Sequence, residues 1–208
     1  MKPLIDEWNK YYDYYPKNIL EIGSRDGADA NLLQVAFNVP DDKVYIAEAH
    51  PHCVDHIRRT YPNYNLYGMA VALENGVTKF NAVFTPDLGT LGMSSLLSRT
   101  DESFPENWVD VETITGKSLM DKIGEPEIDL VKIDVEGYTY EVLKSFDNNL
   151  SRIKMMHLEV EHYPFWKNQT LYNDVRELLI QQGFEECYRF DYVYEEDKVQ
   201  SDVIWRRL

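Results

Sequence analysis

Apolar and polar residues follow one another along this chain in blocks of changing period, and the blocks predict strands and helices in alternation. Short apolar runs at 18–22 and 43–47 read as strands, and 65–71 as a third. Between them, 28–37 and 51–61 carry helical spacing, the second with Pro51 at its start. The segments 77–84 and 108–114 read as strands separated by a long loop, 85–107, rich in Gly, Ser, Pro and Thr. A buried-type strand at 128–133 precedes a helix over 138–146, and a strand at 153–161 precedes a helix over 170–182 closed by Gly183. The tail, 184–194 and 199–205, reads as an antiparallel pair around the polar turn 195–198. Residues 1–15, rich in Tyr and Trp, form an amphipathic helix serving as lid or packing element. Strands alternating with helices imply βαβ units, so the expected fold is α/β: a mostly parallel sheet with helices on both faces and an antiparallel pair at the end.

Composition narrows the picture. A chain of 208 residues, 44% hydrophobic, suits one α/β domain, with 1–17 as a helical extension. The 36 acidic against 21 basic residues leave a net charge of -15, which repels phosphate backbones and anionic lipid. Nucleic acid and membrane surfaces are therefore not expected partners; a small molecule or sugar is. Cys53 and Cys187 form neither a disulfide framework nor a zinc motif. With no signal-peptide pattern in 1–15 and no run long enough to span a bilayer, a cytoplasmic location is expected.

The first strand runs into Glu21-Ile22-Gly23-Ser24-Arg25-Asp26-Gly27 before a helix. Glycine permits a tight turn and a close approach to a ligand, and N–H groups at a helix start favour an anionic group. Dinucleotide enzymes need G-x-G-x-x-G here; this turn has Gly23-x-x-x-Gly27, with bulky Arg25 at the middle position. Glu48 ends the second strand, where a carboxylate can accept both hydroxyls of a ribose. Together the turn and Glu48 favour a nucleoside cofactor.

Three segments, the turn just quoted, Ala47-Glu48-Ala49-His50-Pro51, and Val131-Lys132-Ile133-Asp134-Val135-Glu136-Gly137 followed by Tyr140-Glu141-Val142-Leu143-Lys144, resemble the FkbM family of S-adenosylmethionine-dependent methyltransferases. The resemblance covers about residues 18–161. It implies a seven-stranded Rossmann-like sheet and methyl transfer from S-adenosylmethionine. It also implies that Glu21, Gly23, Asp26 and Gly27 surround the methionine part of the cofactor, with Ser24 and Arg25 in the same turn. Glu48 and Ala49 would lie by the ribose, Met69 and Ala70 by the adenine, and Ser94 and Ser95 in the pocket.

The acceptor chemistry falls on the other strand ends. An aliphatic hydroxyl is a weak nucleophile, so a base or a metal must take its proton or its charge. Asp134 and Glu136 follow one strand; Glu159, Glu161 and His162 end its neighbour. Asp134 and His162 are the candidate catalytic pair, and Glu136, Tyr163, Ser94 and Ser95 the candidate substrate contacts. Asp134, Glu161 and His162 also form a hard-ligand set suited to Mg2+ or Mn2+, so base and metal readings both stand. Tyr163, Phe165 and Trp166 could stack on a sugar ring, and the loop 89–95 has the glycines of a lid. The leading reading is O-methylation of a hydroxyl on a sugar, glycan or other small molecule. A nicotinamide-dependent oxidoreductase lacks its glycine fingerprint here. A non-catalytic interaction module would not need Gly23, Gly27, Glu48 and Asp134 together.

Overall fold

The backbone is organised around a sheet whose strand order reverses beside its first strand. The structure is a computed structural model that describes residues 1–85, 91–102, 106–195 and 197–208. The chain runs through α1 (Lys2–Tyr11), β1 (Ile19–Ile22), α2 (Ala28–Phe37), β2 (Val44–Ala47), α3 (Pro51–Thr60) and β3 (Asn65–Tyr67). It continues with β4 (Ala70–Val71), β5 (Gly76–Asn81), β6 (Trp108–Ile114), α4 (Gly116–Ile123), β7 (Ile128–Ile133) and α5 (Thr139–Ser145). Last come β8 (Ile153–Glu161), α6 (Tyr172–Gln181), β9 (Phe184–Glu195) and β10 (Lys198–Arg207). The main sheet has seven strands in the order β3-β2-β1-β7-β8-β10-β9. It is parallel through β8, and β10 pairs antiparallel with both neighbours. From β1 the chain first builds outward to β2 and β3, then returns to build β7 and β8 on the other side. Such a switch point leaves a crevice beyond the carboxyl ends of the strands.

Each face of the sheet has its own apolar layer, because side chains alternate along a strand. One face buries Leu20, Ile22, Val131, Ile133, Met156 and Leu158 against α4, α5 and α6. The other buries Ile19, Ile46, Leu130, Met155 and Ile204 against α1 and α2. Trp8 of α1 is wholly buried there and donates its indole N–H to the Tyr14 carbonyl at 2.7 Å. The N-terminal helix is thus a packing element.

Two expectations about the middle of the chain are corrected. The apolar run 65–71 is not one strand: it breaks at Gly68, β3 joins the main sheet, and β4 joins a second sheet. That second sheet, ordered β4-β6-β5, takes up the two strands expected in this region. The helix α4 was not anticipated. Thr115 caps it by accepting the Ser118 N–H at 3.1 Å, Gly124 ends it in a left-handed turn, and Leu119 and Met120 supply its buried stripe.

Candidate functional site

At the switch point the β1–α2 turn passes through left-handed conformations at Gly23 (φ 76°), Arg25 (φ 58°) and Gly27 (φ 78°). Gly23 lies so close to the end of β7 that a Cβ would stand 1.9 Å from the Asp134 carbonyl oxygen. The glycine therefore packs the turn against a strand as well as exposing backbone to the crevice. The Arg25 N–H donates to Glu48 Oε2 at 2.8 Å, and the His50 N–H donates to Oε1 at 2.7 Å. Burial pushes the Glu48 carboxyl above its ordinary range, against the pull of those backbone donors. The Ser24 and Ala49 N–H groups also face this carboxylate.

Gly23, Ser24, Arg25, Glu48, Ala49, Met69 and Ala70 all line one cavity, with Phe80, Leu91 and Leu96 adding apolar wall. Three expected cofactor contacts do not line it. Glu21 is fully buried beneath the turn, accepting from the Ser24 hydroxyl at 2.5 Å and the Ala30 N–H at 3.3 Å. Asp26 accepts the Ala28 N–H at 3.1 Å, at the start of α2. Gly27 caps α2, and a Cβ there would meet the Tyr61 ring at 2.7 Å. These residues shape the turn from behind.

Another part of the lining is acidic. Lys132 on β7 is in register with His157 on β8, and this places Asp134 beside Glu159 on one face of the sheet. Asp134, Glu136 and Glu159 line the cavity, and among the described residues their ligand atoms all lie within 4.8 Å of one another. Lys132 Nζ is 3.0 Å from Asp134, 3.0 Å from Asp29 and 3.5 Å from Glu21. Burial would lower the Lys132 ammonium, but these three carboxylates hold it well above its ordinary value. Glu136, in a left-handed conformation (φ 51°), lies 3.9 Å from Arg99. Burial, then repulsion from Asp134 and the other acids, pushes Glu136 and Glu159 well up. Burial, then Asp134, pushes Glu161 up to about 7. Carboxyls crowded together with few countercharges resist ionising together.

The cluster differs from the expected one in membership. His162 follows Glu161 by one residue and so faces the other side of the sheet. Its Nε2 lies 2.8 Å from Ser201 Oγ and its ring packs on Tyr172 of α6. It can be neither a base nor a metal ligand for this cavity. Glu161 is on the correct face but buried behind the lining residues. Ser94 lines the cavity, whereas Ser95 is buried and donates its hydroxyl to the Glu136 carbonyl at 2.6 Å. Tyr163 does not line it; it packs on Phe165, ring centres 5.2 Å apart. Trp166 is buried, with the Arg99 guanidinium 4.3 Å over its ring. Of the expected lid, 89–95, Gly89 and Thr90 lie outside the described residues, and Ser95 at its end bridges to Asn81; beyond it Arg99 bridges to Trp166. From sequence, Glu159 enters only as a member of the strand-end acids and Lys132 only as part of the quoted motif, neither with a role, although their alternation with Glu161 and Asp134 was available as a signal.

A seven-stranded sheet of this order, with an antiparallel final pair and a crevice at the switch point, defines the class of Rossmann-like methyltransferases. Magnesium protoporphyrin IX methyltransferase from Synechocystis PCC 6803, solved with bound SAM, superposes with a TM-score of 0.55 at 11% identity, over 100% of this chain and 77% of that one. A TehB-like SAM-dependent methyltransferase from Corynebacterium glutamicum gives 0.53 at 12%, over 99% and 86%. Methyltransferase FkbM from Methylobacillus flagellatus KT gives 0.56 at 9% identity, over 93% of this chain and 45% of that one. No curated protein matches the chain in sequence. The methyltransferase FkbM domain matches residues 21–189, and the chain belongs to that family. No helix among the described residues is long and apolar enough to cross a membrane.

Proposed function

We propose that the protein moves a methyl group from S-adenosylmethionine to a hydroxyl oxygen of an uncharged small molecule, a sugar being the favoured class. One observation carries this reading: Glu48, suited to a ribose, and the carboxylate cluster around Asp134 line a single cavity. The cofactor fits the donor and acceptor set. Glu48 is held at the cavity edge by the Arg25 and His50 N–H groups, where its carboxylate can meet ribose hydroxyls, and Met69, Ala70 and Phe80 offer an apolar slot for a purine. When bound, S-adenosylmethionine supplies an activated methyl; the acceptor oxygen takes it, its proton leaves, and S-adenosylhomocysteine is released. Asp134, anchored by Lys132, is suited to orient the hydroxyl and receive that proton into the cluster. The acids also repel anionic acceptors, and a nucleic acid backbone or anionic lipid suits this wall poorly.

A second reading follows from the closeness of Asp134, Glu136 and Glu159, whose hard oxygens could hold Mg2+ or Mn2+ and so polarise the same hydroxyl. EDTA-sensitive turnover restored by Mg2+ supports it; EDTA-insensitive turnover leaves the carboxylates acting alone.

Calorimetric titration with S-adenosylhomocysteine tests the cofactor assignment, with NAD and NADP in parallel. The wild-type protein should bind S-adenosylhomocysteine alone, and a folded Glu48→Gln variant should bind it at least tenfold more weakly, since charge-assisted hydrogen bonds are worth about 1.5–3 kcal/mol. Unchanged affinity in that variant would remove Glu48 from the site. Asp134→Asn should keep the affinity for S-adenosylhomocysteine and lose about 10²–10⁴ in methyl transfer.

A further inference from the structure

The sheet face that carries Asp134 and Glu159 does not end at the cavity. Across the β8–β10–β9 register, Glu159 is paired with Asp202 and Asp202 with Phe190; Glu161 is paired with Gln200 and Gln200 with Tyr192. Directly paired residues share a face, so the acid rim continues sideways into Asp202, Gln200, Phe190 and Tyr192. Tyr194 joins them: its hydroxyl donates to Gln200 Oε1 at 2.6 Å. The Tyr192 hydroxyl donates to Asp202 at 2.9 Å. The rings are close, Phe190 and Tyr192 at 4.9 Å between centres, and Tyr194 and Phe165 at 5.9 Å. Yet they are open to solvent: Phe190 is 49% exposed, Tyr192 43% and Tyr194 62%. Further back on this face α1 and α2 cover the sheet, but only as far as Ile204 and Tyr188. The Tyr194 phenol is pushed up by burial and then by Glu159 and Glu136, which links the shelf electrostatically to the cavity wall.

We propose that this shelf, built from Phe190, Tyr192 and Tyr194 with Asp202 and Gln200, binds the uncharged sugar ring that presents its hydroxyl to the Asp134–Glu159 cluster. The inference rests on the hydroxyl-methylation reading above and adds the seat of the acceptor. Aromatic faces offer a platform to the C–H side of a pyranose. The polar groups around them are mixed: the Gln200 amide donates, while Asp202 and the phenol oxygens accept. Sugar hydroxyls need both, whereas an ammonium needs acceptors only. Negative charge at Asp202, whose carboxyl burial would raise but His157 and the Tyr192 hydroxyl hold below its ordinary range, rejects phosphorylated or carboxylated rings. Contiguous exposed apolar surface, as Phe190 and Tyr192 form with ring centres 4.9 Å apart, is a feature of ligand and partner sites.

The probe is saturation-transfer NMR with the methyl glycosides of glucose, galactose, mannose and rhamnose, alongside glucosamine and glucuronic acid, with and without S-adenosylhomocysteine. At least one neutral glycoside should bind. The Phe190→Ala/Tyr194→Ala variant should weaken it about tenfold while S-adenosylhomocysteine affinity stays constant. Tyr192→Phe and Tyr194→Phe, which keep the rings, should bind the sugar at intermediate strength and serve if the double variant does not fold. Loss of S-adenosylhomocysteine binding in the wild type would overturn the cofactor reading, not the shelf. Binding of no neutral glycoside, of glucosamine alone, or unaltered sugar binding in the ring variants would overturn the shelf. So would a dimer that dissociates when the rings are removed, since the occupant would then be a second copy of the chain.

Discussion

Replacing Glu161 with glutamine should stabilise the protein above neutral pH and leave it nearly unchanged in mild acid. Glu161 is 3% exposed, and burial followed by repulsion from Asp134 lifts its carboxyl from 4.5 to about 7. The folded state therefore binds a proton that the unfolded chain has released, throughout the interval between those values. Stability falls as pH rises wherever the folded state binds more protons. The contribution is fully present below 4.5 and lost as pH passes through about 7. The displacement corresponds to about 3 kcal/mol at most, because the neighbouring acids share the same protons. Glutamine is neutral at every pH and keeps an oxygen for the Gly137 N–H that faces Glu161, so the variant escapes the loss. For a domain of this size 1 kcal/mol moves the melting temperature by about 2–4 °C. The expected result is a variant melting at least 3 °C above wild type at pH 8 and within about 1 °C at pH 5. Equal shifts at the two pH values, or a variant less stable at pH 8, would refute the claim that Glu161 is buried at a cost in charge. Turnover should fall in the same variant, since groups strained for function commonly lower stability.

Lys132→Met should destabilise the fold by about 3–5 kcal/mol, as removal of one partner from a buried ion cluster does, because Glu21, Asp29 and Asp134 then face one another uncompensated. The loss should shrink as pH falls and those acids take up protons, and thermal melts at pH 5 and pH 8 check it. Gly23→Ala should fail to fold or melt far below wild type, since its Cβ would stand 1.9 Å from the Asp134 carbonyl oxygen. Gly124→Ala, equally left-handed at φ 73° but with nothing within 4 Å, should cost only about 1–2 kcal/mol. Similar melting temperatures for the two alanine variants would show that backbone strain alone accounts for Gly23.

The main sheet was legible because its strands are strongly patterned. The segments 128–133, 153–161 and 28–37 were read with the bounds the structure gives to β7, β8 and α2. Each is decided by local burial: β7 is buried at every position, and its length rules out a helix. The second sheet was not legible as a separate layer. β4 has two residues and β5 is exposed at its first four positions, so no periodicity announces which sheet they enter. Pairing of β4 with β6 is a long-range event that sequence spacing does not encode. The helix α4 was missed for a different reason. Its signals, Thr115 and Gly124 at the two ends with Leu119 and Met120 between, are all local, but the pattern is only eight residues long.

The site shows the same division. Gly23 through Arg25 and the strand-end Glu48 line the cavity, whereas Glu21, Asp26 and Gly27 of the same motif lie behind the turn. His162 is the sharpest instance. It was grouped with Glu159 and Glu161 because all three end one strand, yet a strand turns successive side chains to opposite faces. Register settles membership: Lys132 opposite His157 fixes Asp134 next to Glu159, and the face that holds Glu159 and Glu161 excludes His162. The same parity, carried across β10, selects Asp202 and Gln200 and then Phe190 and Tyr192. One alternation rule thus removes a histidine from the chemistry and adds an aromatic surface to the acceptor side. It also accounts for the charge balance. A face on which Asp134, Glu159 and Glu161 crowd beside a lysine already shared among three carboxylates suits a reactant without negative charge, and the rings beside it supply the contact that charge cannot.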